Sequence, residues 1–124
     1  MFYEYIAQEH MIREEGTSEG TQIKYRKGDY WYKIDGHGCE GLTEYLTSKF
    51  LTFTDLKSEE YVLYEQGFIN ERPGCRSRNF LREGQELITF YRLYQNECGE
   101  DLSQVIGKME TMEERIQWRK EYNL

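Results

Sequence analysis

Hydrophobic and polar residues alternate with a period of two most clearly at Tyr30-Trp31-Tyr32-Lys33-Ile34-Asp35. Tyr30, Tyr32 and Ile34 share one side of an extended segment; Trp31, Lys33 and Asp35 share the other. Residues 21–26 pair with this segment as a predicted β-hairpin, broken at Lys27-Gly28-Asp29. The period then lengthens. Leu42, Tyr45, Leu46, Phe50 and Phe53 form an apolar stripe on a helix expected from Glu40 to Phe53, and Glu40 and Glu44 share a different face. Residues 1–15 fit either a strand or an amphipathic helix.

Farther along, Tyr61–Tyr64 reads as a short strand. Residues 66–79 read as a loop punctuated by Gly67, Asn70, Pro73 and Gly74. Phe80-Leu81 begins a strand, and Leu87–Tyr94, apolar on both faces, is predicted as a central strand. Leu102, Val105, Ile106 and Met109 return to helical spacing. Thr111 and Glu114 have the spacing of a capping box opening a last helix, Met112–Tyr122. That helix has a thin stripe (Met112, Ile116, Tyr122) and needs something to pack on. The expectation is an α+β fold: a mainly antiparallel sheet of five strands, one helix packed on it, and helices at the C-terminus. The division expected is 1–95 and 96–124.

Composition narrows the classes. The chain has 124 residues, 38% apolar and 15% aromatic, with a net charge of −7. It can build a core, and its acidity argues against nonspecific nucleic-acid binding, which needs clustered cations. No apolar run nears the ~20 residues that span a bilayer, and Met1-Phe2-Tyr3-Glu4 is unlike a secretion signal, so a cytoplasmic protein is expected. Cys39, Cys75 and Cys98 are odd in number and far apart, which suits neither a disulfide framework nor a metal pair. Thiol or metal chemistry at these cysteines has nothing in the spacing to recommend it. His37, between two glycines, reads as a turn residue. Arg72, Arg76, Arg78 and Arg82 fall close together in an acidic chain, as a phosphate or acidic-partner site or as a solvated loop edge.

The segment Gly16-Thr17-Ser18-Glu19-Gly20-Thr21-Gln22 precedes the hairpin. Such a glycine-bracketed turn can lay backbone N–H groups against phosphate oxygens, and Lys33 can reach the same phosphates. The residues alone also fit a polar hairpin with a surface lysine, the commoner outcome for a Gly-rich turn.

With these elements placed, the chain resembles the N-terminal lobe of HipA-like serine/threonine kinases. The resemblance is carried by Thr17, Ser18-Glu19, Gly20, Thr21, Gln22, Ile23 and Lys24 against the family's phosphate loop. Lys33 followed by Glu40-Gly41-Leu42 matches its strand lysine and helix glutamate, and Leu87–Leu93 matches its hinge strand loosely. It implies a bacterial ATP-binding lobe over about residues 16–122. Thr17 to Gln22 would cover the phosphates. Lys33 would meet the α- and β-phosphates, oriented by Glu40 or, failing that, Glu44. The main chain near Tyr91 and Leu93 would meet adenine. Thr17, or else Ser18, would be a regulatory phosphosite. No catalytic aspartate loop or Mg²⁺-binding motif follows the expected hinge, so the chain alone is not expected to transfer phosphate. The resemblance therefore implies a C-lobe or kinase partner and a toxin–antitoxin setting with a helix-turn-helix protein. The alternative is a non-catalytic module that binds a kinase through its last helix and the Arg72–Arg82 segment.

Overall fold

A computed structural model describes residues 1–12 and 22–122. The fold is α+β, with a five-stranded mixed sheet and four α-helices. It divides into two compact units, Met1–Gln85 and Glu86–Leu124.

The first unit holds the sheet. Its strands are β1 (Phe2–Glu4), β2 (Lys24–Lys27), β3 (Tyr30–Ile34), β4 (Tyr64–Ile69) and β5 (Arg72–Arg78), in the order β1-β4-β5-β3-β2. Three pairings are antiparallel; β1 runs parallel to β4, with Phe2 opposite Gly67. Helix α1 (Glu40–Leu51) connects β3 to β4. The β2–β3 hairpin closes through Gly28-Asp29, with Gly28 at φ 58°, where a type II′ turn places its glycine. After β1 the chain crosses to the far edge of the sheet. There Met11 bridges Tyr25 antiparallel, and the Ile12 N–H donates to the Lys24 carbonyl over 2.9 Å. The segments flanking residues 13–21 are thus antiparallel neighbours.

One face of the sheet carries the apolar core: Phe2, Ile6, Tyr25, Tyr32, Ile34 and Ile69. Phe2 meets Tyr32 edge-on at 5.9 Å between ring centroids. Burying each large side chain of this set contributes roughly 1.5–3 kcal/mol. Arg76 joins this face rather than a loop. Its guanidinium lies 4.5 Å from the Phe2 ring and 4.6 Å from Tyr30, and pairs with Glu65 at 3.0 Å and Glu4 at 3.5 Å.

Helix α1 covers the other face, though not through the expected stripe. Gly41 and Ser48 are buried, whereas Leu46, Phe50 and Phe53 are exposed. The cause is steric. A methyl on Gly41 would sit 2.7 Å from the Gly74 carbonyl carbon, so only small residues let helix and sheet approach this closely. Ser48 Oγ then accepts from the Tyr64 N–H at 3.0 Å and sets the start of β4.

The predicted loop at 66–79 is instead the β4–β5 hairpin. Its turn is Asn70-Glu71, both at positive φ (50° and 65°). The Asn70 carboxamide accepts from the Ile6 N–H at 2.8 Å and donates to the Ile6 carbonyl at 3.1 Å, so the turn grips the N-terminal segment.

The second unit is helical: α2 (Phe90–Cys98), α3 (Leu102–Gly107) and α4 (Met112–Glu121). The strand expected at 87–94 is replaced by the start of α2. Thr89 caps it by accepting from the Arg92 N–H, and Gly99 ends it at φ 69°. The capping box of Thr111 and Glu114 forms at the start of α4. Phe90, Tyr94, Trp118 and Tyr122 make a cluster of tilted and edge-on rings, with Trp118 and Tyr122 4.8 Å apart. Burial pushes the Tyr94 phenol up to about 12, helped by the Tyr122 and Glu100 hydrogen bonds.

Candidate functional site

The alternation of β3 sends Tyr32 and Ile34 into the core and leaves Trp31 and Lys33 on the α1 side. There the Lys33 Nζ meets Glu44 Oε1 at 2.8 Å and lies 5.2 Å from the Tyr64 ring centroid. Cys75, fully buried, is the residue directly opposite Lys33 on β5. Burial works against the Lys33 charge, but the Glu44 hydrogen bond and the surrounding groups outweigh it, so the ammonium is held above its usual range. Burial pushes the Cys75 thiol to about 12, against the pull of Lys33, so it stays protonated at neutral pH. Tyr64 is raised too, by burial first.

The expected partner of Lys33, Glu40, is used elsewhere. Its carboxylate accepts from the His37 N–H at 3.0 Å and the Gly38 N–H at 3.2 Å, and these backbone bonds lower its pKa. Asp35 Oδ1 accepts from the Gly41 N–H at 2.7 Å. The Gly41 amide in the first turn of α1 is thereby satisfied by Asp35, and the turn just before the helix by Glu40. Glu44 lies one helical turn farther on, which places it over β3. His37 is an exposed turn residue whose backbone Glu40 holds.

An open groove of about 480 Å³ runs beside this pair, lined by Gln22, His37, Glu40, Thr43, Glu44 and Thr47. Gln22 Nε2 donates to the Ile34 carbonyl at 3.4 Å. Register sets Lys24, the last residue matched to the phosphate loop, on this face and adds Arg26, which sequence reasoning did not place in the site. Lys24 is directly opposite Lys33, and Arg26 is opposite Trp31. Cross-strand neighbours in an antiparallel pair share a face. The Arg26 guanidinium lies 4.9 Å over Trp31, whose Nε1 donates to Asn79 Oδ1 at 2.8 Å. The two-residue turn at Gly28-Asp29 was the signal that fixes this register.

Other expected site residues fall apart from this pair. Thr17, Ser18, Glu19, Gly20 and Thr21 lie outside the described residues. Tyr91 and Leu93 are on α2, not on a strand. The Tyr91 hydroxyl donates to Asp101 at 2.8 Å, and the Leu93 N–H is spent on the Thr89 carbonyl at 3.0 Å. A helical amide so used is not free to read an adenine edge. Arg72, Arg76 and Arg78 belong to β5, so the arginine-rich loop is not a loop. Arg76 is committed to Glu4, Glu65 and two rings. Arg78 is exposed beside Asp29, and Arg72 and Arg82 are exposed. Among the described residues, no group of three or more His, Cys, Asp or Glu is arranged to hold a metal ion. No helix among them is long and apolar enough to cross a membrane. Comparison with protein-family models, with curated proteins and with solved structures finds no match to this chain.

Proposed function

We propose that residues 1–85 form the nucleotide-handling part of a HipA-like serine/threonine kinase N-lobe that needs a second lobe for chemistry. The observation that carries this reading is the Lys33–Glu44 pair at 2.8 Å. A strand lysine oriented by a glutamate of a helix is the arrangement by which protein kinases hold the α- and β-phosphates. Here it follows a glycine-containing segment whose flanks are antiparallel neighbours. The ammonium has three donors; Glu44 takes one and leaves others for phosphate oxygens. Lys24, across the β2–β3 ladder, is the second cation available on that face. The amides of His37, Gly38 and Gly41 contribute none of this, because they already serve Glu40 and Asp35. ATP with Mg²⁺ would supply the phosphoryl group, and the catalytic aspartate and metal ligands would come from a C-lobe. A phosphate added at Thr17 or Ser18 would repel the nucleotide's own phosphates from Lys33.

The test is a thermal-shift titration with ATP and Mg²⁺, with and without a candidate C-lobe chain. Stabilisation that disappears in Lys33→Ala and weakens in Glu44→Gln, but persists in Glu40→Gln, is the expected result. No shift under either condition would overturn the reading.

A second reading is a non-catalytic module that binds a kinase partner in a toxin–antitoxin-type system with a helix-turn-helix protein. Glu40 and Glu44, both lining the groove, favour it, since two carboxylates repel a triphosphate. Capture of a kinase chain that survives Lys33→Ala selects this reading over the first.

A further inference from the structure

Within the helical unit, α4 separates its charges by face. Met112, Arg115, Ile116 and Arg119 recur at helical spacing and line an apolar groove of about 350 Å³, which also includes Phe90 and Ile106. Glu113, Glu114, Gln117 and Glu121 line a different surface depression. In a chain of net charge −7, the lip of this one apolar groove is therefore cationic. Arg115 is held in place by donating to the Met109 carbonyl at 3.3 Å. Among the described residues, no carboxylate pairs with Arg115 or Arg119. Met112 and Ile116 are 64% and 46% exposed, so apolar surface stands uncovered beneath two uncompensated charges. Methionine at such a surface adapts to the shape of what binds.

The geometry points to a docking groove for an amphipathic helix whose apolar residues enter between Ile106 and Ile116 and whose flanking acids meet Arg115 and Arg119. This unit has no strand edge among its described residues to recruit an extended peptide, and a groove between helices suits an amphipathic helix. The cationic lip selects acidic flanks by charge complementarity. The proposal rests on residues 86–122 alone and is independent of any nucleotide role for Lys33.

The full chain carries two tryptophans, Trp31 and Trp118, and Trp118 lines the groove. Labelled with 5-fluorotryptophan, it gives one fluorine signal from each. The probes are two designed helical peptides with leucines one turn apart, one flanked by glutamates and one by lysines. The glutamate peptide is expected to shift the Trp118 signal saturably, leave Trp31 in place, and bind about tenfold tighter than the lysine peptide. Arg115→Glu with Arg119→Glu is expected to reverse that order. Should the double variant lose its helices, the wild-type chain still decides, because added salt is expected to weaken the glutamate peptide selectively. Equal affinities, no saturable shift, or no salt dependence would each overturn the proposal. Lys33→Ala is expected to leave the result unchanged, which separates this outcome from that of the nucleotide titration.

Discussion

The two units solve the same burial problem with different means. In the first, order comes from specific polar and steric fits. Gly41 rests against Gly74, Ser48 bonds the Tyr64 amide, Asn70 grips Ile6, and Arg76 lies between two rings. Ile34, Ile69 and Cys75 are sealed from solvent. In the second, Tyr94 is the only buried hydrophobic residue among those described, and an aromatic cluster carries the packing. A unit tied by many directional contacts can hold a lysine and a glutamate at fixed separation. A unit that leaves Met112 and Ile116 open is suited to receiving a partner.

The largest expected effect that sharpens this contrast is Gly74→Ala. The added methyl would run into the Lys33 carbonyl oxygen, a backbone atom on the neighbouring strand. A loss of about 3 kcal/mol is expected. In urea, the transition reported by Trp31 should move while that reported by Trp118 stays; a joint shift would break the contrast. Trp118→Ala should leave the Trp31 transition in place while removing about 2 kcal/mol from the helical unit, since the ring is only partly buried. Near-ultraviolet circular dichroism would record the loss of the aromatic cluster.

Alkaline titration comes next. The Cys75 thiol is raised from 9.0 to about 12, so the folded chain keeps a proton that the unfolded chain releases. Its contribution is complete below pH 9 and is lost as pH rises toward 12, on the order of 1 kcal/mol of it by pH 10. Lys33, raised from 10.5, acts in the same direction at higher pH. In the helical unit, Tyr94 rises from 10.0 to about 12, so its decline should begin about one pH unit later. Cys75→Ala should remove the early part of the first unit's decline, read as its urea midpoint against pH. The smallest expected effect is Thr111→Ala, which removes the α4 cap bond and costs about 1 kcal/mol, measured as helicity lost on heating.

The parts legible in the sequence were those governed by local spacing. Alternation fixed the face of Lys33, and Thr111 and Glu114 announced their helix. The β4–β5 hairpin reads as a loop in the sequence because Gly67, Asn70, Pro73 and Gly74 look like punctuation. Only Asn70 lies in the turn; Gly74 is small because a side chain there would meet the β3 backbone at Lys33 and Ile34. Residues 87–94 read as a strand in the sequence because aromatic and β-branched side chains dominate there. The cap at Thr89, the Phe90–Tyr94 spacing and Gly99 were the competing local signals. In α1, the hydrophobic stripe pointed to the wrong face, since closeness of approach, not hydrophobicity, set the contact. Nothing local distinguished Glu44 from Glu40; one was drawn into its own turn's amides, and this is a tertiary outcome.

The parallel pairing of β1 with β4 has a consequence for the order in which the molecule comes together. On the ribosome, β1 emerges before β4, the strand it pairs with. Phe2 must wait for Gly67 opposite it, and Ile6 for the amide group of residue 70. β1 thus leaves the ribosome well before its partner β4 and is among the last strands to lock into the sheet.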